Sequence, residues 1–557
     1  MKQEKNHLKS KKSKRIAVSL TCIMAVLLFG GLFSVMATSG RINVSKVPVL
    51  KQVFQTADTV ETEDANVSVL PVAESTAESA YTSICDVKAA NGALYLADTT
   101  GKKVLKTDTN GNTLATYNAA DQVNGVAVSG NKVYVLEGGL AGVVKVCDQN
   151  LNVTATIEAG HTPLDMVFVG NRGYVANKFS STISVINLDN NTLVDTVNVD
   201  GVQPMALTVA GSNVYIACHL PDDPDVGSDV VAANVCILNT TNNRISKTLN
   251  IINGAGGVKG ICTSPDGKTV YVAHVLARYG YPTTQLDRGW INTNAVSIID
   301  TSSQSMVTSV LLDDVDLGAA NPWAIACTED GSKLVVSISG TNELAVVDIA
   351  KMNNKINAVK SGNGVVSEVS RIPDYIPFLM DCKTRIDLTG KQDGAQGARS
   401  LSIQGNTAYV GFYFSGSVDA VNLSNNSVRN LRVVNQPQAD AIREGERLFA
   451  DGLTCYQQWE SCLSCHPDGR ADGFNWDNLN DGLGNPKNAK SMLYSHRTPP
   501  VMVTGIRASA EIAVQAGMKF IQYNVLDTTT LSYIDEYLKS MPPEQSPYLN
   551  RHVSLTA

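Results

Sequence analysis

One short pattern recurs through the middle of the chain: LYLAD (94–98), VYVLE (133–137), GYVAN (173–177), VYIAC (214–218), VYVAH (270–274), LVVSI (334–338) and AYVGF (408–412). Its central residues are Tyr95, Tyr134, Tyr174, Tyr215, Tyr271, Val335 and Tyr409, spaced by 39, 40, 41, 56, 64 and 74 residues. The first three intervals give a period near forty; the later ones read as the same unit with insertions. A Gly-Asn or Asp-Gly pair precedes many copies (Gly130-Asn131, Gly170-Asn171, Asp266-Gly267) and tolerates the positive backbone angles of a tight hairpin. An alternating strand follows, as in VVKVCD (143–148), ISVINL (183–188), VSIID (296–300) and LAVVD (344–348). Four strands per unit, repeated seven times, predict a mainly β chain with a seven-bladed β-propeller over 84–434. A β-sandwich would not keep one motif in register seven times.

The variants YVAN, YVAH and YVGF make this array resemble the propeller family named for a Tyr-Val-Thr-Asn signature. Strands within a blade alternate direction. Loops between the second and third strands therefore share a face with the loops between blades. The insertions after His219 and His274 fall on that face, as does the loop carrying His161. A metal or ligand site needs such a shared face, but solvated loop histidines would look the same. Nearby Asp222, Asp223 and Asp225 show only a polar loop. Without converging ligands the spacing favours solvated histidines. Cys85, Cys147, Cys218, Cys236, Cys262, Cys327 and Cys382 are scattered singly and read as core packing. Cys262 and Cys327 occupy corresponding places, just before Asp-Gly turns.

Working outward, the 557 residues leave room for further domains, and 43% hydrophobic with 17% charged residues exclude a wholly disordered chain. Residues 1–15 hold seven Lys/Arg against one acid, so the remainder carries −13 of the formal −7. So acidic a body argues against nucleic-acid partners. The basic tract followed by apolar Ile16 to Ala37 predicts a signal peptide or signal anchor over 1–37. Val35 and Ala37 would stand at −3 and −1 of a cleavage site; uncleaved, the run is long enough to span a bilayer. The expected location is extracytoplasmic, at the cell surface or membrane-anchored, with membrane contact only through this segment. Residues 38–83 read as a flexible spacer.

Beyond the array lies Cys462-Leu463-Ser464-Cys465-His466, a C-x-x-C-H motif whose thiols can bond the two vinyl groups of one haem c with His466 beneath the iron. With 11 cysteines and 7 histidines, chance supplies roughly 0.003 such matches. A redox dithiol would want a thioredoxin-like setting, and a zinc site would want further ligands where only Cys455 is near. Ala439 to Ala450 and Thr529 to Met541 read as helices, the second with Leu531, Ile534, Leu538 and Met541 at helical spacing. Gly445 would let the two cross closely. A small α-helical cytochrome c-like domain is thus expected over 435–557. Arg470 and Trp476 are candidate haem propionate contacts, or else surface residues. Met518, on a short helix over Ala510–Tyr523, is the first choice for the distal iron ligand, with Met502 and His496 as alternatives and Met492 and Met541 behind them.

GERLF (445–449), SCLSCHPDGRADG (461–473), NDGLGNPKNAKSM (480–492), TPPVM (498–502) and SPYL (546–549) resemble the first haem domain of bacterial di-haem cytochrome c peroxidase-like proteins. They are most similar to members fused behind a Tyr-Val-Thr-Asn propeller, which carry an insert similar to YPTTQLDRGWINTN (281–294). The resemblance implies haem attachment at Cys462, Cys465 and His466, and puts Met518 within a residue of where a distal methionine can fall. Family members carry a second C-x-x-C-H, and this sequence has one. The other redox centre is then expected on a partner protein or a second haem domain. The expected function is electron transfer between extracytoplasmic partners, with the propeller as docking scaffold. Its rivals are a peroxidase-like enzyme with an open iron site, and a surface propeller binding an extracellular ligand with an accessory haem.

Overall fold

The structure, a computed structural model, describes residues 81–222, 229–281, 291–394, 396–431, 435–478, 484–546 and 549. The signal segment, most of the spacer, Asp223, Asp225 and most of the 281–294 insert lie outside the described residues, as do parts of the 480–492 and 546–549 stretches. Among the described residues, no helix is long and apolar enough to cross a membrane.

Seven four-stranded antiparallel sheets follow one another along the chain, at 84–118, 123–158, 163–198, 202–250, 255–311, 322–387 and 398–431. Within each, strand order equals chain order, and each first strand packs against the first strands of its two neighbours. The protein is a seven-bladed propeller. The recurring pattern forms the second strand of every blade, from Ala93–Asp98 to Thr407–Phe412. Its central side chains lie between sheets: Tyr95, Tyr134, Tyr174, Tyr215, Tyr271, Val335 and Tyr409 are all buried. Fourth strands such as Thr192–Asn198 are mostly exposed, as outermost edges should be.

The irregular spacings have distinct physical sources. In blades 4 and 5 the second and third strands lengthen into hairpins (Asn213–Asp222 with Ala232–Asn239, Thr269–Ala277 with Asn292–Asp300). In blade 6 the insertion instead separates the third and fourth strands and holds helix α1 (Ile349–Lys360), capped by Asp348. Carboxylates on first strands stitch neighbouring blades: Asp86 accepts from the Val126 amide (3.1 Å), and Asp165 from that of Leu207 (2.8 Å). The ring closes where the Ala89 amide meets Ser402 Oγ at 2.9 Å. Beyond the last blade, Gln436 accepts from the Thr82 amide (3.0 Å), and Arg443 donates to Ser83 Oγ (2.8 Å).

C-terminal to the ring the described residues form three longer helices, α2 (Ala441–Ala450), α3 (Ala510–Phe520) and α4 (Thr528–Ser540), with a single helical turn at Cys462–Cys465 between the first two. Each starts one residue after a side-chain cap (Asp440, Ser509, Asp527), which sets α2 two residues later than its hydrophobic pattern suggests. Leu448, Phe449, Met518, Leu531, Ile534 and Leu538 form their common core. Helices α2 and α4 cross at Gly445, where a Cβ would lie 1.8 Å from the Tyr533 carbonyl oxygen. Gly445→Ala must push the helices apart, and thermal or urea unfolding should show a loss on the order of 3 kcal/mol. A change under 0.5 kcal/mol would mean that this crossing is not what holds the region together.

This region sits on the face that carries the inserted loops. The three propeller histidines are therefore buried, not solvated. His161 Nε2 lies 3.2 Å from the Gln545 carbonyl, and His219 Nδ1 bonds the Val258 carbonyl at 2.9 Å. His274 bonds Ser297 Oγ (2.7 Å) and the Val275 carbonyl (2.9 Å) within its blade. Each is committed to a different partner, and the three do not converge.

Candidate functional site

The C-x-x-C-H residues lie on a single helical turn, Cys462–Cys465, whose start is fixed by a reciprocal cap between Ser461 and Ser464. Both serines are gripped by Asn321 at the entry to blade 6: Asn321 Nδ2 donates to Ser461 Oγ (2.7 Å), and Ser464 Oγ donates to Asn321 Oδ1 (2.8 Å). The motif's backbone is thus held by the propeller.

Two residues past His466 the chain is fastened again. Asp468 bonds Lys178 at 2.5 Å and Lys259 at 3.3 Å, with His219 Nε2 3.4 Å away. Burial alone would raise the Asp468 carboxyl, but the two ammonium groups hold it well below the usual carboxylate range. Burial first, then Lys259, lowers His219 to about 4. The neutral ring suits its geometry: Nδ1–H donates to Val258, and Nε2 can accept from Lys259 at 3.5 Å. Asp468 keeps 39% of its side chain exposed, so solvent screens this cluster and it acts chiefly as a locator.

Cys462, Cys465 and His466 line one cavity of about 460 Å³, together with Phe449, Trp476, Met518, Ile534 and Leu538. Cys462 Sγ accepts from Gln522 Nε2 (3.2 Å) and Cys465 Sγ from Asn292 Nδ2 (3.3 Å). Burial pushes Cys462 up to about 12 and Cys465 well above its ordinary value. A redox dithiol works through a lowered thiol pKa, so these thiols are not set for that role. Among the described residues no group of three or more His, Cys, Asp or Glu side chains is placed to hold a metal ion. His466 Nδ1 lies 3.2 Å from the Arg470 carbonyl, and the Lys490 carbonyl also acts on the ring; burial nonetheless lowers its pKa. With Nδ1 donating to a carbonyl, Nε2 is the nitrogen an iron would take. Two neutral thiols, one oriented imidazole and a largely apolar hollow fit the donor set of a covalently attached haem.

Of the other residues singled out from sequence, the structure brings Trp476, Met518, Met502 and Met492 to the cavity, and Met541 is not among its lining residues. Met518 is buried, whereas Met502 is 40% exposed. Trp476 Nε1 already donates to Asp472 (2.8 Å), so the indole serves as a wall, not as a free donor for a propionate. Arg470 and His496 are not among the lining residues. Arg470 donates to the Pro542 carbonyl (3.0 Å), and His496 Nε2 is held 2.9 Å from Asp535 on α4.

Sequence reasoning missed Glu460 and Asn292. Glu460, 1% exposed, lines the cavity; its Oε2 accepts from Asn292 Nδ2 (2.5 Å), while Oε1 is buried without a hydrogen-bond partner. Burial pushes its carboxyl up to about 8. Asn292 and Ile291 stand at the end of the extended blade-5 hairpin, so the propeller supplies part of the cavity wall. A run of polar residues around Glu460 gives no hint of burial; a composite wall emerges only from the tertiary fold.

Fold and site define a seven-bladed propeller whose loop face seats a C-x-x-C-H cavity. The chain is similar to hydrazine synthase subunit beta of Kuenenia stuttgartiensis, at 25% identity over 171 residues, 31% of this chain. It spans 42% of that relative's length. A solved structure of Kuenenia stuttgartiensis hydrazine synthase matches with a TM-score of 0.55 at 19% identity, covering 63% of this chain and 98% of that one. At that identity the likeness speaks for the fold alone. No family model matches the chain.

Proposed function

We propose that this protein is an exported c-type cytochrome that passes single electrons between extracytoplasmic partners. Residues 84–434 act as the seat and 435–557 as a haem domain akin to the first domain of di-haem cytochrome c peroxidases. The observation that carries this reading is the meeting of Cys462, Cys465 and His466 on one largely apolar cavity. One haem c would be held by thioethers to Cys462 and Cys465, with His466 as proximal ligand, and would supply one-electron redox chemistry. The chain's own part is orientation and exclusion of water. Arg470's carbonyl fixes the His466 tautomer, Asn321 and the Asp468 cluster fix the turn, and Phe449, Ile534 and Leu538 keep the cavity apolar. Met518 is favoured over Met502 as distal ligand because it is buried on a helix facing the same hollow. The similarity to a protein named as one subunit of hydrazine synthase supports a redox setting with a partner protein.

The test is the visible and near-infrared spectrum of the haem-loaded protein, oxidised and reduced. A low-spin spectrum with a methionine-to-iron charge-transfer band, abolished in Met518→Ala, is the expected result. A high-spin spectrum would replace the electron-carrier reading with a peroxidase-like one.

A further inference from the structure

Two of the propeller's cysteines are not isolated. Cys262 Sγ and Cys327 Sγ lie 3.9 Å apart, although 65 residues separate them in sequence. They stand on the first strands of blades 5 (Ala255–Thr263) and 6 (Pro322–Cys327), and both are partly exposed. The strands run unusually close beside them. A Cβ on Gly260 would lie 2.4 Å from the Trp323 carbonyl oxygen and 3.2 Å from Ile325 Cγ2. Side chains two residues apart share a strand face, so Cys262 and Cys327 continue the same seam as Gly260 and Ile325. Closing the gap to a bond needs less than 2 Å of sulfur movement, the reach of small side-chain rotations (a disulfide being about 2.05 Å long).

We infer that Cys262 and Cys327 form a disulfide that staples blade 5 to blade 6. The two thiols give up two protons and two electrons, a sulfur–sulfur bond forms, and an external disulfide is reduced to two thiols by exchange. Burial pushes the Cys262 thiol well up, which starves the folded protein of attacking thiolate. The bond is therefore made as the chain folds. Its location gives it a use. Blade 5 carries Asn292, which bonds Glu460 and Cys465, and blade 6 is entered through Asn321, which grips Ser461 and Ser464. The staple joins the two blades that hold the C-x-x-C-H turn.

The experiment reads sulfur chemistry and is independent of haem. Full-length protein folded in the presence of oxidised glutathione is alkylated without reduction, digested with trypsin and analysed by mass spectrometry. Peptide 260–268 should appear linked to peptide 289–333. Reduction should release both, and the melting temperature should then fall by several degrees. Cys327→Ala, and separately Cys262→Ala, should abolish the linked pair and remove the effect of reductant on melting. Full alkylation of both cysteines in the oxidised wild type, or a link from either to any other cysteine, overturns the inference.

Discussion

Replacing both motif cysteines, Cys462→Ser with Cys465→Ser, is expected to abolish covalent haem entirely, while each single variant keeps one attachment. Serine is the informative substitution. Its hydroxyl can still accept from Gln522 and Asn292, which now donate to the two sulfurs at 3.2 and 3.3 Å. The turn is also fixed from outside by Asn321 and Asp468, so the double variant should fold. Haem staining after denaturing electrophoresis separates covalent from merely lodged haem. Full retention by the double variant would end the c-type reading, whatever the fold does. Far-ultraviolet circular dichroism with the wild-type β signature shows that loss of haem is not loss of structure.

The second large effect concerns Glu460. An exposed glutamate titrates near 4.3, whereas burial in the folded protein raises Glu460 to about 8. Between those values the folded state binds a proton that the unfolded state has released. Stability from this group is fully present below about pH 4.3 and is lost as pH rises towards 8. The limiting slope is about 1.4 kcal/mol per pH unit, reaching on the order of 4 kcal/mol by pH 7. Glu460→Gln removes the titration and keeps an oxygen for Asn292. Its unfolding free energy should fall less steeply than the wild type's over pH 5 to 8, the gap between the two curves widening by about 1.4 kcal/mol per pH unit. Parallel curves for the two proteins would show that Glu460 is ionised in the fold, and hence that the cavity is wetter than its lining implies.

The propeller was legible because a blade cannot hide: its second strand is buried on both faces and so repeats an apolar–Tyr–apolar core. Insertions did not blur this, since those of blades 4, 5 and 6 fall between strands. The C-terminal helices were legible to within about three residues, their ends being set by caps and not by the hydrophobic pattern. Gly445 was read correctly as a crossing point, because only a missing side chain admits a carbonyl so near. What sequence could not carry was the second half of each contact. Asn292 meets Glu460 across 168 residues, and no local pattern marks either. The histidines looked solvated because they adjoin insertions, but His219 and His274 lie on lengthened strands, and His161 is covered by a segment near the C-terminus. Arg470 had the right chemistry for a propionate and His496 for a distal iron ligand, but each is turned to a nearer partner.

The bonds joining Thr82 and Ser83 to Gln436 and Arg443 span 354 and 360 residues. They set the order of events when the protein is made. A chain emerging residue by residue can pair strands within each blade early, since those contacts are local. The first blade must nevertheless wait, one flank unprotected, until the seventh is finished and the root of α2 follows it. Ring closure and seating of the C-x-x-C-H turn then come together as one late step. Gln522 and Asn292, which bond the two motif cysteines, are brought to them only in that step.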